Sequence, residues 1–561
     1  MITRLLAISL VLLAGCSAST APTASERAGR PTEPTPARTA GSSTGPSAAS
    51  NVAPTISLAA STASTASTAL TGSTASTALT VAGPISTIGP RPGGPTVDPV
   101  ATSRPEANPP ATPTTVAIVG TDAAGGIGDA IFPGLGNAGI DVTHVDLRLA
   151  WSPTDNVLTA TATLDIVALV PLSSFHLDFS GLVVDDLTVN GKAASGERAA
   201  GELTVRPAGP LAPGPFQVRV AYHGVPEQGA DTVGRPLGWL PTPSGGAYTL
   251  AEPGGAHYWF PSNDHPSDKA TYAFHIDVPD SLVAVANGQH LSTTQTSGRR
   301  TYNYQAAEPM ASYLVLVAIG AYRIVEATSA SGLPLRSVEP LSWSTPGEYL
   351  AVTGEMVDFF SERFGPYPFS SYGVLFADSV RNLAMETQTL SLFSAQDMHG
   401  VRGDDQSFLA HELAHQWFGD AVSPVRWNDV WLNESFATYA DWLWTFRANP
   451  ARLDQRAEEN RRAAASDRAT RGSTGHPNAA SLFGRQVYGG GAIVLHALRQ
   501  EVGDERFFAI LQTWFTRFRY KSAGTEDFVA VASEVAQRDL GPFLTLWLDG
   551  STLPPFPPSS S

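Results

Sequence analysis

Apolar and polar residues alternate over several short stretches in the middle of the chain. The alternation is clearest in residues 145–151, 158–166, 216–222 and 272–278. A period of two residues places the apolar side chains on one face of a strand, which is typical of half-buried β-structure. Asn190-Gly191 is a signal for a tight hairpin turn between two strands. We therefore predict an all-β, sandwich-like domain over residues 125–322.

The period then changes to that of a helix. Met356, Phe359, Phe360 and Arg363 predict a helix that ends at Gly365-Pro366. A second helix is predicted to be capped by Asp404 or Asp405 and to end at Gly419. Further helices are predicted after Asn433 and from Ala451, Gly491, Asp504 and Thr525. Residues 323–552 are thus predicted as a mainly helical second domain with a few strands at its start. The fold class is α+β, in more than one domain.

The two ends of the chain have different compositions from the middle. Residues 1–16 have a positive start at Arg4, a short apolar run and the sequence Leu-Ala-Gly-Cys, which resembles the bacterial lipobox. This predicts a lipoprotein signal peptide with lipidation at Cys16; an ordinary signal peptide is the alternative. Residues 17–124 are rich in Ala, Ser, Thr and Pro and predict a disordered stalk. Residues 553–561 predict a loose Pro- and Ser-rich tail.

Net charge and cysteine content limit which partners and which kinds of stabilisation are expected. The formal net charge of −16 argues against nucleic acid as a partner, because phosphate binding needs a basic surface. Cys16 is the one cysteine in the sequence, so an intrachain disulfide framework is excluded. A lipid on Cys16 would anchor the protein to a membrane surface on the extracytoplasmic side of a bacterial cell.

A short motif in the helical domain can bind a metal ion. If residues 411–415 are helical, His411 and His415 lie one turn apart on one face, and Glu412 can reach a water on the metal. Glu434, nineteen residues after His415, is the predicted third ligand, because Asn433 could cap a helix that carries it. Two histidines and a carboxylate leave the open position that a hydrolytic zinc needs. The alternative is a surface helix with two solvated histidines.

This region resembles the zinc aminopeptidases typified by aminopeptidase N and leukotriene A-4 hydrolase, which are gluzincins with a thermolysin-like catalytic domain. The resemblance is most specific at residues 411–420 and 431–434. Other similar segments follow the family's order: Glu252-Pro253, residues 260–264, Lys269-Ala270, residues 364–369, residues 384–387, Tyr488 with Gly491, and Leu498-Arg499. The resemblance as a whole covers residues 125–552. The chain stops before the long helical C-terminal domain that many relatives carry.

The resemblance implies a role for each matching residue. One zinc ion would be bound by His411, His415 and Glu434, with Glu412 as the general base. Tyr488 would stabilise the tetrahedral oxyanion; its alternative is a buried aromatic residue beside a Gly-rich turn.

Glu386 would bind the free α-amine of the substrate, which explains why such enzymes start from the N-terminus. Glu252 would be a second amine-binding residue, with a solvated loop glutamate as the alternative.

The sequence also departs from the family pattern near the substrate. Leu383 stands where relatives have Gly, and Thr387 where they have Asn; we expect Leu383 to alter the substrate cleft. Gly490 stands where a Lys is common.

The leading hypothesis is a membrane-tethered zinc aminopeptidase acting on peptides with a free N-terminus. The alternatives are a zinc endopeptidase and a catalytically silent surface protein that binds peptides.

Overall fold

The computed structural model describes residues 121–122, 125–379, 381–398 and 400–558. The predicted order of an all-β domain followed by a mainly helical domain is confirmed. The predicted signal peptide, with Cys16, and nearly all of the predicted stalk lie outside the described residues. Thr121–Asp122, which the sequence placed in the stalk, forms a short strand that pairs with Leu172 and Ser174.

Within the described residues, the first domain contains sheets of eight, five and four strands. The eight-stranded sheet has the order β15-β16-β13-β2-β3-β9-β5-β6, the five-stranded sheet β10-β11-β12-β17-β14, and the four-stranded sheet β1-β4-β8-β7. The strands are β1 (Thr121–Asp122), β2 (Ile140–Ser152), β3 (Val157–Ala168), β4 (Leu172–Asp178), β5 (Val183–Val189), β6 (Lys192–Ala193), β7 (Ser195–Ala199), β8 (Glu202–Arg206), β9 (Gly214–Gly224), β10 (Gln228–Ala230), β11 (Pro236–Pro241), β12 (Ala247–Leu250), β13 (Lys269–Pro279), β14 (Val283–Ala286), β15 (Gln289–Thr296), β16 (Arg299–Ala311) and β17 (Val317–Gly320).

The alternating residues of the sequence occupy the strands at the centre of the large sheet. Leu147 and Leu149 of β2, at 0% and 2% exposure, lie opposite Ala162 and Ala160 of β3 in antiparallel register. The polar residues between them face outwards, so the period-two pattern is explained by one buried face. The predicted hairpin at residues 190–191 is also confirmed, since β5 pairs with β6 across Val189 and Lys192.

The second domain begins with a five-stranded sheet of order β18-β19-β20-β22-β21. Its strands, and a two-stranded pair further on, are β18 (Tyr322–Thr328), β19 (Pro334–Pro340), β20 (Tyr372–Ala377), β21 (Ala384–Met385), β22 (Ser391–Ser394), β23 (Val422–Pro424) and β24 (Lys521–Ala523). The α-helices are α1 (Leu350–Phe364), α2 (Asp404–Ala414), α3 (Trp431–Thr445), α4 (Pro450–Arg471), α5 (Tyr488–Val502), α6 (Asp504–Phe518), α7 (Thr525–Ala536) and α8 (Gly541–Asp549).

Several predicted helix ends are wrong. Gly403, rather than Asp404 or Asp405, occupies the N-cap position of α2, in a left-handed conformation that favours glycine. This helix ends at Ala414, well before Gly419; beyond it, the backbone N–H groups of Asp420 and Ala421 donate to carbonyl oxygens five residues back.

The start of α3 also differs from the prediction. Val430 is its N-cap, because a short 3₁₀ turn at Trp427–Asp429 leads directly into the helix. Asn433 therefore lies inside the first turn and does not cap it. Glu434 is in that first turn, as predicted.

Differences also occur towards the end of the chain. Helix α5 begins at Tyr488, three residues before the predicted start at Gly491, and α8 was not predicted at all.

The prediction of a loose tail is wrong for its first residues. Phe556 stacks on the ring of Trp547, with centroids 5.2 Å apart and planes at 8°. Leu553 is buried.

The two domains share buried contacts close to the predicted metal motif. Lys269 of β13 donates hydrogen bonds from Nζ to the carbonyl oxygens of Asp420 at 2.6 Å and Ala421 at 3.2 Å. Asp129, at the start of the first domain, accepts a hydrogen bond from the backbone N–H of Trp427 at 2.9 Å. These contacts fix the segment that joins His415 to Glu434. None of the helices in the described part of the chain is both long and apolar enough to span a membrane.

Candidate active site

Three side chains of the helical domain converge on one point. His411 lies in the last turn of α2, His415 directly follows that helix in a helical conformation, and Glu434 comes from the first turn of α3. The Oε2 atom of Glu434 lies 3.3 Å from Nε2 of His411 and 3.5 Å from Nε2 of His415. One ligand atom from each residue lies within 4.8 Å of the others. The structure thus brings together the three residues that the sequence predicted as metal ligands.

The environment of these side chains fits a bound cation. The side chains of His415 and Glu434 are 1% and 3% exposed, and that of His411 is 17% exposed. Burial opposes ionisation of Glu434, but the charge of His415 and hydrogen bonds from both histidines outweigh it and hold its pKa at about 2. Glu434 is therefore a carboxylate at neutral pH. Two imidazole nitrogens and a carboxylate oxygen, closely spaced and largely buried, are a donor set that zinc accepts.

The orientation of His415 is set by its own turn. Its Nδ1 atom lies 3.0 Å from the carbonyl oxygen of Phe418. Because a carbonyl oxygen only accepts hydrogen bonds, Nδ1 carries a proton, and Nε2 is the ring nitrogen that faces Glu434 and that a metal ion would take. This is the support that a metal-binding histidine needs.

Glu412 lies beside the ligands on the same helix. Its carboxylate forms a second close group with those of Glu386 and the imidazole of His415. Burial, reinforced by the charges of Glu386 and Glu434, raises the pKa of Glu412 well above its ordinary value, although His415 opposes the rise. A carboxylate with a raised pKa accepts a proton more readily at neutral pH.

Glu386 follows β21 and lies against the metal motif. It is 3% exposed, and its Oε1 atom is buried without a hydrogen-bond partner among the described residues. Burial and the charge of Glu434 raise its pKa, although His415 opposes them. A buried carboxylate oxygen without a partner is costly, so its presence indicates a site for a cationic group.

Glu252 is brought to the same place from the other domain. It lies two residues after β12, and its Oε1 atom is also buried and without a hydrogen-bond partner among the described residues. Burial, then the charges of Glu386 and Glu434, raise its pKa well above the ordinary value. A solvated loop glutamate, the alternative considered from the sequence, does not describe this side chain.

Tyr488 is the first residue of α5, next to the ligand cluster. Its ring is nearly parallel to that of His411, with centroids 5.8 Å apart and planes at 11°. Burial and the charges of Glu434 and Glu252 raise its pKa well above the ordinary value, so its hydroxyl keeps its proton. Close packing of α5 on α3 needs Gly491, where a Cβ atom would meet the Oγ atom of Ser435 at 1.7 Å.

Gln416 is a residue of this site that sequence reasoning missed. Its side chain is fully buried, and Nε2 donates a hydrogen bond to the carbonyl oxygen of Glu386 at 3.0 Å. Its Oε1 atom accepts from the backbone N–H of Thr389 at 2.8 Å and from the hydroxyl of Tyr367 at 3.3 Å. The available signal was an amide side chain directly after His415 in an otherwise apolar run.

Asn433 and Tyr313 form a second missed contact. Nδ2 of Asn433 donates to the hydroxyl of Tyr313 at 3.2 Å, and that hydroxyl donates to the carbonyl oxygen of Gly419 at 3.2 Å. Asn433 therefore links α3 to the β domain.

Leu383 is 5% exposed and belongs to the hydrophobic core, so its side chain adds little accessible surface to the cleft.

Comparison with known proteins agrees with this geometry. Residues 349–547 match the peptidase family M1 domain, and residues 142–314 match the peptidase M1 N-terminal domain. Aminopeptidase M1-D of Oryza sativa subsp. japonica is 28% identical over 326 residues, which cover 54% of this chain and 36% of that protein. Aminopeptidase N of Streptomyces lividans is 28% identical over 340 residues, which cover 54% of this chain and 38% of that protein. The chain thus matches about a third of the length of these relatives.

A solved structure is similar over its full length. The M1 zinc metallopeptidase of Deinococcus radiodurans is 32% identical, with a TM-score of 0.68, and the match covers 78% of this chain and 100% of that one. A mutant of the Deinococcus protein has also been solved with a Tyr-Ser-Ala substrate bound.

Proposed function

The chain belongs to peptidase family M1, and from this premise we propose that it is a zinc metallo-aminopeptidase that removes N-terminal residues from peptides. The observation that carries the proposal is the ligand cluster of His411, His415 and Glu434 with two buried, unpartnered carboxylate oxygens beside it. The cluster fits a hydrolytic metal, and the carboxylates fit the ammonium group of a free N-terminus.

His411, His415 and Glu434 would bind one zinc ion. When bound, zinc would polarise the scissile carbonyl and lower the pKa of a water molecule towards neutrality. The hydrogen bond between Nδ1 of His415 and Phe418 supports this assignment, because it leaves Nε2 free to act as a ligand.

Glu412 would be the general base. It would take a proton from the attacking water and pass it to the leaving amine, which makes one residue both base and acid. Its raised pKa supports the role, since a carboxylate at its ordinary pKa would hold that proton too weakly.

Tyr488 would donate a hydrogen bond to the oxyanion as the scissile carbonyl becomes tetrahedral. Its position against the ring of His411 and its protonated hydroxyl support this role.

Glu386 and Glu252 would bind the substrate α-ammonium. An internal peptide bond has no cation to pair with these carboxylates, so cleavage would be restricted to the first residue. The Tyr-Ser-Ala substrate bound to a mutant of the Deinococcus relative is consistent with a peptide substrate for this chain.

The test is a comparison of the wild-type protein with Glu412→Gln. We expect the wild type to hydrolyse aminoacyl fluorogenic substrates, and the variant to keep its zinc, measured by metal analysis, while losing turnover. Equal activity in the variant would rule out this mechanism. An acetylated peptide separates the alternatives, because an aminopeptidase leaves it intact and an endopeptidase cleaves it. A catalytically silent peptide-binding protein would cleave neither the acetylated peptide nor its unacetylated form.

We also propose that the protein is lipidated at Cys16 and tethered outside the cytoplasm, on the strength of the lipobox-like sequence before that residue. Metabolic labelling with a palmitate analogue should label the wild type and not Cys16→Ser. Equal labelling of both would contradict the proposal.

A further inference from the structure

Arg235 lies at the edge of the candidate active site and has no role in the proposed mechanism. It directly precedes β11, which pairs with β12 in antiparallel register, Gly238 opposite Leu250. Continued along the two chains, this register would set Pro236 opposite Glu252, and the charge of Glu252 acts on the pKa of the neighbouring Arg235, so the two side chains lie near each other. Arg235 also lies close enough to Tyr488 for each charge to affect the pKa of the other group.

A buried aspartate holds this arginine in place. The side chain of Asp231 is 1% exposed, and its Oδ2 atom accepts a hydrogen bond from Nε of Arg235 at 2.5 Å. Oδ1 of Asp231 accepts from the backbone N–H groups of Val233 at 2.9 Å and Arg235 at 2.7 Å. The loop is thus closed around one carboxylate, and the guanidinium has one fixed direction.

The outer edge of the guanidinium is available to a ligand. The side chain of Arg235 is 43% exposed, and only its Nε atom makes a hydrogen bond within the described residues. Two Nη atoms with their donors in one plane match the two oxygens of a carboxylate. A fixed, half-exposed guanidinium beside a substrate site is therefore a receptor for an anion.

We propose that Arg235 binds a carboxylate of the substrate. The inference rests on the proposed function, because the groups beside Arg235 are those assigned to the substrate amine and to the oxyanion. The carboxylate has two sources within reach of such a position. One is the side chain of an N-terminal Asp or Glu, and the other is the C-terminal carboxylate of a short peptide.

The experiment measures binding rather than turnover. Isothermal titration uses the zinc-loaded, full-length Glu412→Gln protein and three tripeptides: Glu-Ala-Ala amide, Gln-Ala-Ala amide, and Gln-Ala-Ala with a free C-terminus. The first two differ by a side-chain carboxylate, and the last two by a terminal carboxylate. We expect at least one carboxylate-bearing peptide to bind about tenfold more tightly than its neutral partner. That preference should disappear when Arg235→Gln is added and should be partly kept with Arg235→Lys.

A matched arginine provides the control. Arg426 has a side chain that is 48% exposed and bonds through Nε to Asp429, whose side chain is 4% exposed, so it resembles Arg235 in exposure and in this partner. It differs in that its Nη2 atom also donates to Glu526 at 3.0 Å. Arg426→Gln should leave the carboxylate preference unchanged. If neither carboxylate improves binding, or if Arg235→Gln weakens all three peptides equally, Arg235 is a structural counter-charge and the inference is wrong. Failure of the proposed function would appear separately, as absence of wild-type turnover of alanine substrates.

Discussion

The Nε2 atom of Gln416 donates a hydrogen bond to the carbonyl oxygen of Glu386 at 3.0 Å. The contact joins the residue directly after His415 to the residue proposed to bind the substrate amine. Because Oε1 of Gln416 also accepts from the backbone N–H of Thr389, one buried amide holds both ends of the short segment 386–389 against the predicted metal motif.

We therefore predict that Gln416→Leu raises KM for aminoacyl substrates by about tenfold while the zinc content is unchanged. Loss of the amide leaves a buried N–H and a buried carbonyl unpaired, which costs about 1–3 kcal/mol and lets the segment shift. Steady-state kinetics and metal analysis measure the two effects. Gln416→Glu keeps the acceptor for Thr389 and should have an intermediate KM. An unchanged KM in Gln416→Leu would show that the contact does not position Glu386.

The contrast between Gln416 and His415 shows what the sequence could predict. His415 could be predicted because helical spacing and ligand chemistry are both local, and its partner His411 lies within the same short motif. Gln416 acts on Glu386, 30 residues earlier, and that contact exists only after the sheet and α2 have packed together. The burial of Glu252 has the same origin, since it depends on the contact between two domains.

Local signals also failed where packing decided the outcome. Asn433 is a good N-cap residue, but the 3₁₀ turn before α3 starts the helix three residues earlier, with Val430 as its N-cap. Its amide then contacts Tyr313 in the other domain. Gly419 is a good helix terminator, but α2 has already ended at Ala414.

Metal removal should destabilise the protein. The three predicted ligands, His411, His415 and Glu434, come from two separate helical segments. A cation would therefore bind all three together only in the folded state. At free zinc 100 times the Kd, the expected gain is about 2.7 kcal/mol. Differential scanning fluorimetry with and without 1,10-phenanthroline measures the change in Tm. His415→Ala should show no shift on chelation; an equal shift in that variant would place the stabilising metal elsewhere.

Tyr488→Phe should lower kcat with little change in KM. The hydroxyl is proposed to act on the oxyanion alone, and removal of such a donor lowers kcat by about 10²–10³-fold. Tyr439→Phe is the control, because Tyr439 is a buried tyrosine of the same domain whose hydroxyl contacts Nδ1 of His496 instead. Initial rates over a range of substrate concentrations give both kcat and KM. A fall in kcat of the same size in the two variants would point to a general structural effect.

His496 of α5 provides a pH-sensitive group away from the metal ligands. Its side chain is 2% exposed, and its ring packs edge-on against Phe556 at 4.8 Å. Burial, reinforced by the charge of Arg499, lowers its pKa to about 4, while Asp504 opposes the shift. Asp454 also lies 3.5 Å from Nε2, but it is 61% exposed, so water screens its charge.

The protein should therefore lose stability as the pH falls from about 6.5 to about 4. The unfolded chain, with its histidine pKa near 6.5, binds a proton in this range that folded His496 does not, so protonation favours unfolding. The loss should approach about 3 kcal/mol at the lower pH, since each pKa unit corresponds to about 1.4 kcal/mol. Urea unfolding at a series of pH values measures it. His496→Gln should flatten this part of the stability profile. His290 is exposed, and His290→Gln, the control, should leave the profile as it is. An unchanged slope in His496→Gln would contradict the assignment of this pH dependence to His496.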